Sequence, residues 1–123
     1  MKIPEGIRNE ALWRKHCRKI HARAKDLLEG RLGIVETARA ICLLAIWTRV
    51  ESEPEFQLFS AIDRETCYLP VGAVRAYWMP EVLAREDVLI EAAENRWRDQ
   101  AIAAAEALVE RYKWALKRMA RKG

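Results

Sequence analysis

The chain has 123 residues, 51% of them hydrophobic and 33% charged, which excludes a disordered chain and leaves one domain with enough apolar side chains to build a core without staples. Its formal charge of +4 conceals a pattern: eleven cations against five acids over residues 1–50, five against eleven over 51–99, and six against two over 100–123. A molecule with basic ends and an acidic middle is dipolar, so net charge alone does not name its partners.

The opening Met1-Lys2-Ile3-Pro4 lacks an apolar run followed by small residues, so no secretory leader is expected. The longest apolar run, Ala40 to Trp47, falls far short of the roughly 20 residues that span a bilayer, and no membrane segment is expected. Cys17, Cys42 and Cys67 are odd in number, far apart and form no Cys-x-x-Cys pair, which reads as free thiols in the cytoplasm. Cys17 and His21 lie four apart and share a helix face, but no second ligand pair accompanies them. The reading is therefore structural, with Cys17 in the core, His21 at its margin and neither metal nor other cofactor.

The expected fold is an all-α bundle, one domain over residues 1–123, with three main helices, short helices between them and an irregular centre. The first helix covers residues 5–29. Trp13, Cys17, Ile20, Ala24, Leu27 and Leu28 fall on one side of it at 100° per residue, and Arg14, Lys15, Arg18, Lys19 and Lys25 on the rest. Six cations and no acid between Arg14 and Lys25 make either a solvated face or a grip for phosphates. Gly30 to Gly33 is a tight connection that sets the second helix, residues 34–50, antiparallel to the first. Because Ala40 to Trp47 is apolar all round, this second helix reads as the central one, packed on several sides.

Glu51-Ser52-Glu53-Pro54 then restarts the chain, with Ser52 or Glu53 near a cap and Pro54 at the first position of a short helix through Ile62. Residues 63–71 read as a loop and 74–78 as another helical turn. From about residue 86 to 120 no Pro or Gly interrupts an Ala-, Glu-, Leu- and Arg-rich pattern, which predicts one long amphipathic helix whose alanines admit a close neighbour, the second helix being the simplest choice. Each of Trp13, Trp47, Trp78, Trp97 and Trp114 is expected to pack in the core, with Trp114, between Lys113 and Lys117, the most exposed.

The chain carries no nucleophile elbow, no phosphate-cradling glycine loop and no His-Glu-x-x-His, and it reads as a non-enzyme. What stands out is Asp63-Arg64-Glu65-Thr66, with Arg75 and Trp78 downstream. Two carboxylates around an arginine suit acid–base work if burial raises one pKa. Alternatively, Asp63 and Thr66 cap a turn, and Asp63 or Glu65 pairs with Arg75 to close the loop, with Trp78 packing beside it. The run Phe56-x-x-Phe59-x-x-Ile62-Asp63-x-Glu65-Thr66, followed by Leu69-Pro70-x-Gly72, Arg75 and Trp78, resembles a group of small uncharacterised bacterial proteins with a central Ile-Asp-Ser-Glu-Thr-Asp, then Pro-x-Gly, Arg and Trp. Leu28 to Arg31 and Ala38-Arg39 extend the likeness over about residues 27–98, while Arg64 and Cys67 depart from it.

That resemblance implies a bacterial cytoplasmic protein of the kind encoded beside antibacterial toxins, and hence an immunity-type protein that neutralises a cognate toxin domain by occluding its active site. The acidic middle is the expected contact surface. Glu51, Glu53 and Glu55 have no cation near them in sequence and are expected to face solvent, Asp63 and Glu65 extend their potential, and Tyr68 supplies an aromatic anchor. The alternative is a nucleic-acid-binding module that uses the basic first helix, the C-terminal tail and Trp114 as a stacking surface.

Overall fold

The computed structural model describes residues 3–117 and is all-α, with no strand among the described residues. Four helices form the bundle: α1 (Glu10–Leu28), α2 (Ile34–Thr48), α3 (Pro54–Thr66) and α4 (Pro80–Arg111). Two 3-10 helices, Gly72–Tyr77 and Lys113–Leu116, precede and follow α4. Packing follows chain order and closes on itself: α1 lies on α2, α2 on α3, α3 on α4, and α4 chiefly on α1 rather than on α2 as its alanines had suggested. The core runs down the middle, with Trp13, Cys17 and Ile20 from α1, Ile41 and Leu44 from α2, Phe56, Phe59 and Ile62 from α3, and Ala101, Ala105 and Leu108 from α4.

Local chemistry explains each boundary. Asn9 starts α1, five residues later than the sequence suggests, because its Oδ1 accepts the Leu12 N–H at 2.9 Å and so satisfies a donor that a helix start leaves open. Gly30 ends the helix region at φ +79°. Its N–H reaches the Leu27 carbonyl and the Arg31 N–H reaches that of Asp26, the paired bonds of a Schellman cap. Asp26 also holds Arg23 at 2.9 Å and Arg31 at 2.8 Å, which stiffens the turn into α2.

The third helix is the largest departure from expectation, since residues 63–66 are helix and not loop. Its buried stripe is Phe56, Phe59, Ile62 and Thr66, so the period continues into a polar residue. The Thr66 hydroxyl donates to the Ile62 carbonyl at 2.7 Å, which lets it sit buried without a lost hydrogen bond. Pro54 occupies the first turn with Glu53 as its cap residue, as the sequence indicated.

Helix α4 begins at Pro80 and stops at Arg111, earlier at both ends than the 86–120 span. Tyr112 is fully buried and meets Phe56 edge-on at 6.3 Å, and Trp114 stacks on Trp13 at 5.5 Å. A straight helix would not turn both rings inward, so the chain tightens into the 3-10 helix after Tyr112. Residues 118–120 of the expected helix, and the basic tail with them, lie outside the described residues. Among those described, no helix is long and apolar enough to cross a membrane.

Candidate partner-binding site

The helix that reads as central in the sequence is buried on only part of its circumference. Ile41, Leu44 and Ala45 are in the core, but Leu43 is 49% exposed, Ile46 56% and Trp47 47%. At 100° per residue, positions 43, 46 and 47 fall together, opposite positions 41 and 45. The expectation of a helix packed on several sides holds in part: α2 has neighbours in α1, α3 and, less extensively, α4, but the line facing away from the core is an apolar ridge open to solvent. Trp47, not Trp114, is the most exposed of the five tryptophans. Three large apolar side chains side by side differ from the single exposed leucines of any surface and form a contiguous apolar patch.

Beside the ridge lies a groove of about 800 Å³ lined by the start of α1, the end of α2 and the residues that flank them, 6–9, 49 and 51. Ile7, Leu12, Trp13, Ile46 and Trp47 make it apolar, and Arg8, Asn9, His16, Arg49 and Glu51 complete the lining. The His16 ring packs on Trp47 with centroids 4.8 Å apart, joining groove and ridge. Burial, with Lys19 and Lys15 close by, lowers the His16 imidazole from its ordinary value, so it is neutral at pH 7.

Arg49 holds the edge of this groove in an unusual backbone state. With φ +61° and ψ +40° it is left-handed, the one non-glycine residue of positive φ among those described. A Schellman cap places it there: its N–H bonds the Ile46 carbonyl and the Val50 N–H that of Ala45, while buried Val50 seals the turn. Glycine is the ordinary occupant, and an L-residue costs about 1–2 kcal/mol more. The Arg49 side chain lies across Gly6, where an added Cβ would come within 3.3 Å of the guanidinium carbon. This backbone sets a guanidinium on the groove edge. Arg49→Gly is expected to leave the urea midpoint unchanged or raised while weakening capture of any partner that uses this edge; a lowered midpoint would show that the side chain serves the fold instead.

The charges about the groove are unneutralised. Among the described residues Arg8, Lys15, Lys19 and Arg49 have no carboxylate within 4.0 Å, a condition they share with Arg18, Arg64, Arg85, Arg98, Lys113 and Lys117, whereas the ion pairs involve Arg14, Arg23, Lys25, Arg31, Arg39, Arg75, Arg96 and Arg111. Trp114 is not a bare stacking platform, since its ring packs on Trp13 and carries the Arg14 guanidinium 5.3 Å above its centroid.

The acidic residues singled out in the sequence behave in the opposite way. Glu53 and Glu55 converge on Arg111, at 2.9 and 2.8 Å, so their charge is met internally and not presented to solvent as expected. The cation comes from 56 residues beyond Glu55, out of reach of any local reading. Glu51 alone of the three remains open; its backbone carbonyl accepts from Gln57 at 2.7 Å, and the residue lines the groove. Asp63 lies 3.5 Å from Arg39, not against Arg75. Arg39 also donates to the Thr66 and Leu69 carbonyls at 2.8 and 3.2 Å and so caps the end of α3. Glu65 accepts from Arg96 at 2.6 Å and from the Trp97 indole at 2.8 Å. The Trp97 N–H and the Arg96 guanidinium hold its carboxyl below the usual range, the reverse of what a general acid requires.

Arg75 lies in the connection into α4 and pairs with neither Asp63 nor Glu65. It grips Asp87 through two bonds of 2.8 and 3.1 Å and the Pro70 carbonyl at 3.1 Å. Trp78, half-buried, donates its N–H to the Arg75 carbonyl at 3.1 Å. Tyr68 is 63% exposed, yet it follows the end of α3 that Arg39 caps, near the first half of α2. The groove lies at the other end of α2, so Glu51 is separated from Asp63, Glu65 and Tyr68, and these residues do not form one surface.

Two of the three thiols, those of Cys17 and Cys42, carry little reactivity. Burial pushes Cys17 up to about 12 and Cys42 up to about 11, so neither is a thiolate at neutral pH. Among the described residues no group of three or more His, Cys, Asp or Glu is placed to hold a metal ion. No family model, curated protein or solved structure matches the chain.

Proposed function

We propose that this protein works by binding another protein, as an immunity-type partner that occludes the active site of a cognate bacterial toxin domain. The observation that carries the reading is the apolar ridge Leu43, Ile46 and Trp47, half-exposed on a helix whose other side is core. A tryptophan flanked by aliphatic side chains on a rigid helix loses little side-chain freedom when covered, and such anchors dominate binding energy at protein interfaces. The acidic middle plays a smaller part than its composition implies, because Arg111, Arg39 and Arg96 already meet four of its carboxylates.

Co-expression with the products of the adjacent genes, taking the one that arrests growth when expressed alone, tests this, and their all being harmless would defeat the proposal. The wild-type chain should co-purify with that product and restore growth, and Ile46→Asp with Trp47→Ala should lose both while keeping its helical circular dichroism. A wild-type chain that gives no protection, or a folded double variant that protects fully, defeats the proposal.

A further inference from the structure

We infer that the groove between α1 and α2 receives an amphipathic helix of the partner whose apolar face is flanked by carboxylates. This inference deepens the protein-binding reading and rests on it. The apolar floor offers Leu12, Ile46 and Trp47, and both of its long sides belong to helices, α1 and α2. An inserted helix lays residues at i, i+3, i+4 and i+7 into such a space.

Charge selects the flanks of that helix. Arg8 and Arg49 line the groove, Lys15 and Lys19 lie close to its His16, and none of the four has an ion-pair partner among the described residues. Glu51 is the single acid of the lining. A helix with basic flanks would bring like charges together, while carboxylates would meet cations that are otherwise bare. The strained backbone of Arg49 points the same way, because glycine would serve the cap at lower cost and only the arginine side chain profits from the position. Nucleic acid is the other polyanion such cations attract, but an apolar floor without an open aromatic stack beyond Trp47 suits a helix better.

The test needs no toxin. Peptides of about 18 residues, five helical turns, are displayed with a fixed apolar stripe and with flanking positions varied among Glu, Gln and Lys, then selected on the purified full chain. Glu is expected to be enriched at the flanks. The selected peptides should bind at least about tenfold more tightly than their Lys-flanked counterparts at low salt, with the ratio shrinking as salt rises. Arg8→Glu with Arg49→Glu should erase the preference, and Ile46→Asp should abolish binding. No enrichment over the Ile46→Asp protein, enrichment of Gln or Lys, or displacement of the peptides by duplex DNA would each overturn the inference. Acidic peptides selected by a chain that gives no protection against the toxin would uphold the groove's specificity and defeat the immunity reading; protection with failed selection would do the reverse.

Discussion

Ile41→Ala is expected to lower unfolding free energy by about 2–5 kcal/mol, whereas Ile46→Ala, on the same helix, should lower it by less than about 1 kcal/mol. The two substitutions delete the same atoms. Ile41 is fully buried among the side chains of the core, so its removal forfeits transfer free energy and leaves a cavity that close-packed neighbours fill only in part. Ile46 is 56% exposed, and water enters where its side chain was. Urea denaturation of both variants decides the matter, and equal losses would mean that the ridge on α2 is covered in the free protein. The comparison also guards the functional tests, since a variant of the ridge is informative about binding only if the fold tolerates it.

Glu94→Ala is expected to cost about 1–3 kcal/mol, the range for leaving buried donors without an acceptor. Helix α2 begins after Gly33, which has no side chain to cap it. The missing acceptor comes from α4: the two Glu94 oxygens accept the Ile34 N–H at 2.8 Å and the Val35 N–H at 2.9 Å. Both residues are buried, so water is a poor substitute, and a carboxylate at a helix N-terminus gains from the helix dipole as well. Gly33 is part of the same device. A Cβ there would sit 2.8 Å from Glu94 Oε2, so Gly33→Ala should push the carboxylate off its donors and lose much of the same stability. In the Glu94→Ala background that second substitution should cost little more, because the clash has gone. Additive losses in the double variant would show that Gly33 acts through its backbone alone.

The helical class, the tight turn at Gly30, the proline at the start of α3 and the buried face of α1 were all legible in the chain, since each rests on near-neighbour chemistry: periodicity, a cap, a fixed φ, a missing Cβ. The extension of α3 was hidden because its stripe ends in Thr66, a polar residue that burial permits only once its hydroxyl bonds the preceding turn. The end of α4 was hidden because Tyr112 and Trp114 turn toward Phe56 and Trp13, which no local pattern reports. Charge was the most misleading signal. Glu53, Glu55, Asp63 and Glu65 read as an open acidic surface because their cations Arg111, Arg39 and Arg96 arrive from other helices, and no local pattern marks Glu94 as the residue that caps α2 from across the bundle. Sequence determines which faces are apolar and where a glycine or proline punctuates the chain, because those depend on a few bonds along it. Which apolar face stays uncovered and which charges remain bare depend on what a distant segment brings, and for Leu43, Ile46, Trp47 and Arg49 only the packing of α2 between α1 and α3 decided it.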